Sequence, residues 1–266
     1  MHKDTHLDLM IGLALDAGAA IDAIYKTDFD AQQKGDGSPV TEADQRAEAV
    51  IAAGLQAACP DIPILAEEAA SQGHIPELGD RFFLVDPLDG TREFVSRNGE
   101  FTVNIALIDH GRPVSGVVYA PAIAKLYYGA AGQGAFFQRV APGQSRAEGR
   151  PPHEIEARSP FHKNLVAVAS RRHRTPETDA LLDKIGVAEF TPAGSSLKFC
   201  LLAQGTADVY PRLGRTMEWD TGAGQAVLEA SGGRVMVLDG ENEAGPLTYN
   251  KKDRGFDNPH FIAWGR

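Results

Sequence analysis

The chain has 266 residues, enough for one large core or two smaller ones, and its 43% hydrophobic and 23% charged residues are the balance of an ordinary globular protein. A formal net charge of −10 argues against a nucleic-acid polymer as partner, since duplex binding needs a basic face, but it permits a small anionic ligand met by a few local cations. No stretch approaches the roughly 20 apolar residues of a membrane span.

Met10, Ala14, Ala17, Ile21 and Ile24 recur at spacings of three and four, so the chain opens on a helix with one buried face. This is not the apolar core of a signal peptide. The expectation is therefore a cytoplasmic enzyme. Gly35 to Pro39 break the pattern. A second helix is expected from about Thr41, burying Ala47, Val50, Ile51, Leu55 and Ala58 and ending at Cys59-Pro60. Cys59 and Cys200 have no metal-ligand spacing and are read as reduced structural residues. Strands are expected at 62–66, 82–85, 101–108 and 114–119, with weaker ones at 127–128 and 135–138.

Residues 140–153 are polar and poor in core residues, so they are read as a linker or an exposed excursion. Beyond them strands (165–169, 207–210, 235–238, 261–263) alternate with helices (177–185, 196–203, 221–230). The fold class is α/β. An α+β unit spans 1–152 and an α/β unit spans 153–266.

The most telling residues are Asp86-Pro87-Leu88-Asp89-Gly90-Thr91, after the apolar run 81–85. Two carboxylates flank Leu88, whose carbonyl can point into the same space. Hard divalent cations need such oxygens, and Mg²⁺ keeps several waters and favours a few carboxylates plus a substrate phosphate. Gly90 permits close backbone approach, and amides at Gly90 and Thr91 suit phosphate oxygens at a helix start. Glu67-Glu68 follows the apolar run 62–66, and Glu218-Trp219-Asp220 precedes a helix of small residues.

These three motifs resemble, in order and separation, those of the inositol monophosphatase superfamily, whose members are Mg²⁺-dependent, lithium-sensitive phosphatases. One departure is Gly222, where the third motif usually has alanine. The resemblance implies a layered αβαβα sandwich and two or three Mg²⁺ per site, held by Glu67, Asp86, the Leu88 carbonyl, Asp89 and Asp220. It implies that Asp44 and Thr91 together deprotonate the attacking water, and that Glu68 lies behind the ligands or positions that water. Asp220 would stand near the leaving-group oxygen. Thr41-Glu42-Ala43-Asp44 also reads as a helix cap, and both roles are compatible.

The segments 191–200, 208–212 and 100–108 look like the 3′(2′),5′-bisphosphate nucleotidase branch. That branch converts adenosine 3′,5′-bisphosphate to AMP, clearing a by-product of sulfate assimilation. Inositol phosphatases carry a glutamate near Arg212, where an acid would repel a second phosphate and an arginine attracts one. Ser170, Arg171 and His173 follow an expected strand end. Gly194, Ser195 and Lys198 complete the expected substrate contacts, with Ser196 a further donor. The substrate is thus expected to be a small nucleotide, with an inositol or sugar monophosphate as the alternative. A non-catalytic phosphate-binding regulator is the reading from another class. The resemblance also implies a monomer or homodimer, with peripheral attachment to the inner face of the cell membrane as an alternative to a free cytoplasmic enzyme.

Overall fold

The computed structural model describes residues 5–33, 39–159, 164–169 and 176–266. The chain begins with α1 (Thr5–Tyr25), a short hairpin of β1 (Ala31–Gln33) and β2 (Pro39–Thr41), and α2 (Glu42–Ala58). Then come β3 (Ile64–Ala66), α3 (Glu67–Ser71), β4 (Arg81–Asp89), α4 (Thr91–Val95), β5 (Thr102–Asp109) and β6 (Arg112–Ala120). Strands β7 (Lys125–Ala130), β8 (Gly134–Arg139) and β9 (His153–Ile155) complete a first sheet of order β3-β4-β5-β6-β7-β8-β9. It is antiparallel except at β3–β4. Its outermost strand, β9, lies just past the expected boundary at 152/153.

The second half contains β10 (Leu165–Ala169), α5 (Pro176–Ile185), β11 (Val187–Pro192), α6 (Leu197–Ala203), β12 (Val209–Arg212) and α7 (Gly222–Ala230). It ends with β13 (Arg234–Asp239), β14 (Asn242–Pro246) and β15 (Phe261–Trp264). Its sheet has the order β11-β10-β12-β15-β13-β14, parallel at β11-β10-β12 and antiparallel beyond.

The layers follow from side-chain alternation along β4. Phe83 and Val85 enter a core with Met10, Ile21, Ile51 and Leu55 of α1 and α2. Phe82 and Leu84 enter another with Phe199 of α6, Val227 and Leu228 of α7, and Val235 and Phe261 of the second sheet. A smaller core puts Leu181 and Leu182 of α5 against Ala167, Val209 and Ile262. The order is therefore helices, sheet, helices, sheet, helix, the expected αβαβα sandwich. A strand buried on both faces reads as a continuous apolar run, as 81–85 does.

The two long helices match the apolar period, except that Ala58 is exposed and Val50 half-buried, since α2 turns its last residues outward before Pro60. At position 222 an added Cβ would lie 2.8 Å from Leu84 Cδ2, so the usual alanine would require that side chain to shift.

Candidate active site

Parallel pairing of β3 and β4 sets Ala66 beside Val85, so the next residues, Glu67 and Asp86, emerge at neighbouring strand ends. Strand β4 continues past Asp86. Asp86 pairs with Asn104 and Asp89 with Thr102, so three steps along β4 match two along β5, and the extra residue makes a bulge. Pro87, which has no N–H to donate, sits inside that bulge. Leu88 N donates to Asp86 Oδ1 at 3.1 Å, which fixes the acid at the turn.

Gly90 follows with φ of 89°, the left-handed conformation that glycine adopts without penalty, and α4 starts at once. A Cβ there would fall 2.1 Å from Ser195 Oγ, so the position admits no side chain. Thr91 Oγ1 lies 3.1 Å from Asp44 Oδ1 and 3.4 Å from the Leu88 carbonyl. Asp44, 1% exposed, also accepts at Oδ2 from the Thr41 amide and hydroxyl, each at 2.7 Å. It closes the capping box of α2 and faces Thr91 at the same time.

Glu68 is buried in the first turn of α3. The amides of Glu68 and Ala69 donate to the Glu48 carboxylate at 2.8 and 2.9 Å. Sequence reading missed Glu48, although its place four residues after Asp44 on one helix face was visible.

Asp220 lies just before α7, and its Oδ2 accepts from Met217 N at 2.8 Å. Behind it Glu218, fully buried, accepts from the amides of Asn250 (2.9 Å) and Lys251 (2.8 Å) and pairs with Lys251 Nζ at 2.7 Å. That anchor holds the Glu218–Asp220 turn against the Asn250–Lys251 segment.

The acids strain one another electrostatically. Burial, reinforced by Glu67, Asp89 and Asp220, pushes Asp86 well above the usual carboxylate range. Burial raises Asp89 to about 6; Lys198 opposes this, while Glu93 and Glu67 add to it. Burial, with Asp89 and Glu67, raises Asp220 to about 8. Among the described residues no three His, Cys, Asp or Glu side chains form a ready-made metal cage. The donor set is nonetheless all oxygen and anionic. It fits a cation such as Mg²⁺, which takes only one or two protein carboxylates and completes its shell with water and phosphate.

Beside the acids lies a cavity of about 120 Å³ lined by Asp89, Gly90, Gly194, Ser195, Lys198, Arg212 and Asp220, among others. The structure thus brings the expected contacts from α6 and β12 to the β4 loop. Ser195 has φ of 47° and donates to the Asp89 carbonyl at 2.8 Å. Lys198 is 7% exposed, donates to the Ser195 carbonyl at 2.7 Å and sits 5.5 Å from the Tyr210 ring centroid. Arg212 Nη2 donates to the Arg215 carbonyl at 3.0 Å, while its buried Nε has no partner among the described residues. Ser170, Arg171 and His173 lie outside the described residues. Glu93, which also lines the cavity, was missed; it stands two residues after Thr91, within the first turn of α4. A larger hollow of about 600 Å³ by α1, β2 and α2 carries Asp28, Asp30 and Glu42, and its Arg46 is tied to Glu42, so it suits an anion poorly.

The inositol monophosphatase family model matches residues 2–261. The chain belongs to the inositol monophosphatase family. Among its relatives in that family, the 3′(2′),5′-bisphosphate nucleotidase CysQ of Escherichia coli is 44% identical over 96% of this chain and 98% of that one. The CysQ protein of Buchnera aphidicola is 38% identical over 97% and 92%. Among solved structures, CysQ from Bacteroides thetaiotaomicron aligns with a TM-score of 0.80 and 37% identity, covering 99% of this chain and 98% of its own. An inositol monophosphatase from Anabaena aligns with a TM-score of 0.70 and 27% identity, covering 98% and 90%.

Proposed function

We propose that this chain is a Mg²⁺-dependent 3′(2′),5′-bisphosphate nucleotidase. It would hydrolyse adenosine 3′,5′-bisphosphate, and its sulfated precursor as a second substrate, to the 5′-nucleotide and inorganic phosphate. The observation that carries the reading is one cavity lined by Asp89 and Asp220 together with Lys198 and Arg212. Acids suit cations gathered on the scissile phosphate, and bases suit a second phosphate that an inositol monophosphate lacks. The likeness to proteins named bisphosphate nucleotidase supports the same substrate.

Glu67, Asp86, the Leu88 carbonyl, Asp89 and Asp220 would hold the cations. Bound there, divalent cations polarise phosphoryl oxygens and ease ionisation of water. Asp44, in contact with Thr91 Oγ1, takes the proton of the attacking water through that hydroxyl. The water oxygen bonds to phosphorus as the bond to the 3′ oxygen breaks on the opposite side, the 3′ oxygen takes a proton from solvent water, and the alcohol leaves as the nucleoside 5′-phosphate. Gly90 and Thr91 amides orient the phosphate, and Glu68 keeps the Glu67 end of the site in place. Gly194 and Ser195 line the sugar side, with Lys198 and Arg212 on the second phosphate.

Phosphate release from adenosine 3′,5′-bisphosphate, inositol 1-phosphate and fructose 1,6-bisphosphate, with and without Mg²⁺, tests the reading. Preference for the nucleotide and dependence on Mg²⁺ are expected. Equal or better turnover of inositol 1-phosphate overturns the substrate, and phosphate release from none of them favours the non-catalytic alternative.

A further inference from the structure

Ser196 occupies the N-cap position of α6, where a serine hydroxyl ordinarily accepts from a helix amide, yet it makes no such bond. Its hydroxyl, on a residue 1% exposed, is turned into the acid cluster instead. Oγ lies 3.2 Å from Asp89 Oδ2, 2.9 Å from the Asp220 carbonyl and 3.0 Å from Asn104 Nδ2. Asn104 donates, so the single hydroxyl proton of Ser196 is shared between the Asp220 carbonyl, the nearer acceptor, and the Asp89 carboxylate.

Asn104 is itself an unusual choice. It is 1% exposed on the central strand β5, between Val103 and Ile105, directly across the ladder from Asp86. Its Oδ1 is buried with no partner among the described residues. A buried amide oxygen left unbonded costs free energy that an aliphatic side chain would avoid. Fold stability therefore does not explain the residue, whereas its bond to Ser196 does.

We propose that Ser196, aimed by Asn104, is a positioning residue. It sets the direction of the Asp89 carboxylate and ties it to the backbone of Asp220, so that acids from different layers present oxygens to one cation. The proposal rests on the reading that Asp89 and Asp220 hold a divalent cation. Asn104 acts only through Ser196, and neither residue touches substrate.

The test is Mn²⁺ binding to the substrate-free protein, followed by electron paramagnetic resonance, for wild type, Ser196→Ala, Ser196→Thr, Asn104→Ala and the double alanine variant. Circular dichroism checks that each is folded. Ser196→Ala is expected to weaken Mn²⁺ binding about tenfold or more, the size usual for groups that orient metal ligands. Ser196→Thr, which keeps the hydroxyl, should restore most of it. The double variant should bind no worse than Ser196→Ala, because the two act in series. Wild-type affinity in Ser196→Ala, or multiplying losses in the double variant, overturns the proposal. Should Asn104→Ala fail to fold, the contrast between alanine and threonine at 196 decides alone. Absence of Mn²⁺ binding by the wild type would bring down the cation reading itself, an outcome distinct from unchanged binding in Ser196→Ala.

Discussion

Thr91 Oγ1 and Asp44 Oδ1 stand 3.1 Å apart although 47 positions separate them in sequence. The contact joins the first turn of α4 to the first turn of α2. Asp44 meets it with one oxygen while the other holds the cap of its own helix. Asp44→Asn should therefore lower kcat by about 10²–10⁴, the range for loss of a general base. It should also cost about 1 kcal/mol through the weakened cap. Thr91→Ala should share the kinetic loss without the cap penalty. Steady-state kinetics and urea denaturation of both variants check this; equal stability losses would show that the pair is only structural.

Asp86 is buried, with Glu67, Asp89 and Asp220 around it. Asp86→Asn keeps the shape and removes the charge. It should cost more than tenfold in kcat/KM, above about 1.4 kcal/mol of transition-state stabilisation. A smaller loss, measured at saturating Mg²⁺, would remove Asp86 from the proposed cation ligands.

Arg212 separates substrate from chemistry. Arg212→Glu should raise KM for adenosine 3′,5′-bisphosphate by about tenfold to a hundredfold, the worth of one or two charge-assisted hydrogen bonds. It should change turnover of a monophosphate far less. Parallel loss on both substrates would mean that Arg212 supports the fold rather than the second phosphate.

The raised carboxylates give the metal-free protein a pH signature. Asp89 at about 6 and Asp220 at about 8 bind protons more tightly folded than unfolded, where carboxylates titrate near ~3.9. These groups favour folding in full below about 4, and the benefit is lost progressively above that, up to about 6 for Asp89 and about 8 for Asp220. In EDTA, Tm should fall over that window, more steeply for wild type than for Asp220→Asn. Saturating Mg²⁺ should flatten the wild-type curve. Identical slopes for the two proteins in EDTA would contradict the assigned repulsion.

Glu218 and Lys251 make the buried ion pair behind Asp220. Glu218→Ala strips the Asn250 and Lys251 amides of their acceptor and leaves the Lys251 ammonium with the Thr248 carbonyl in place of a carboxylate. The expected loss is about 3–5 kcal/mol in chemical denaturation, as for other buried pairs broken on one side.

The acidic motifs were legible because each is local: an apolar run, then acids, then glycine. The layered fold followed from the resemblance those motifs carry. Other features depend on what only the folded chain brings together. An N-cap serine looks the same whether it caps its helix or turns away, so Ser196 could be read only as a donor to substrate. Asn104 sits in an apolar run, and its partner is 92 positions away. Helices α3 and α4 are five residues each, too short for a period to register. Strand β11 was not foreseen because most of it is exposed at a sheet edge, which blurs the apolar alternation.

Strand β4 delivers both acids of its loop while packed on each face by a separate core. Such a strand has little room to splay when like charges push at its tip. The resting protein thus keeps its carboxylates close together in spite of their repulsion, with Phe82, Phe83, Leu84 and Val85 resisting the force that would open them. An arriving cation then meets oxygens already in place, and relieves a tension that the hydrocarbon below had been holding.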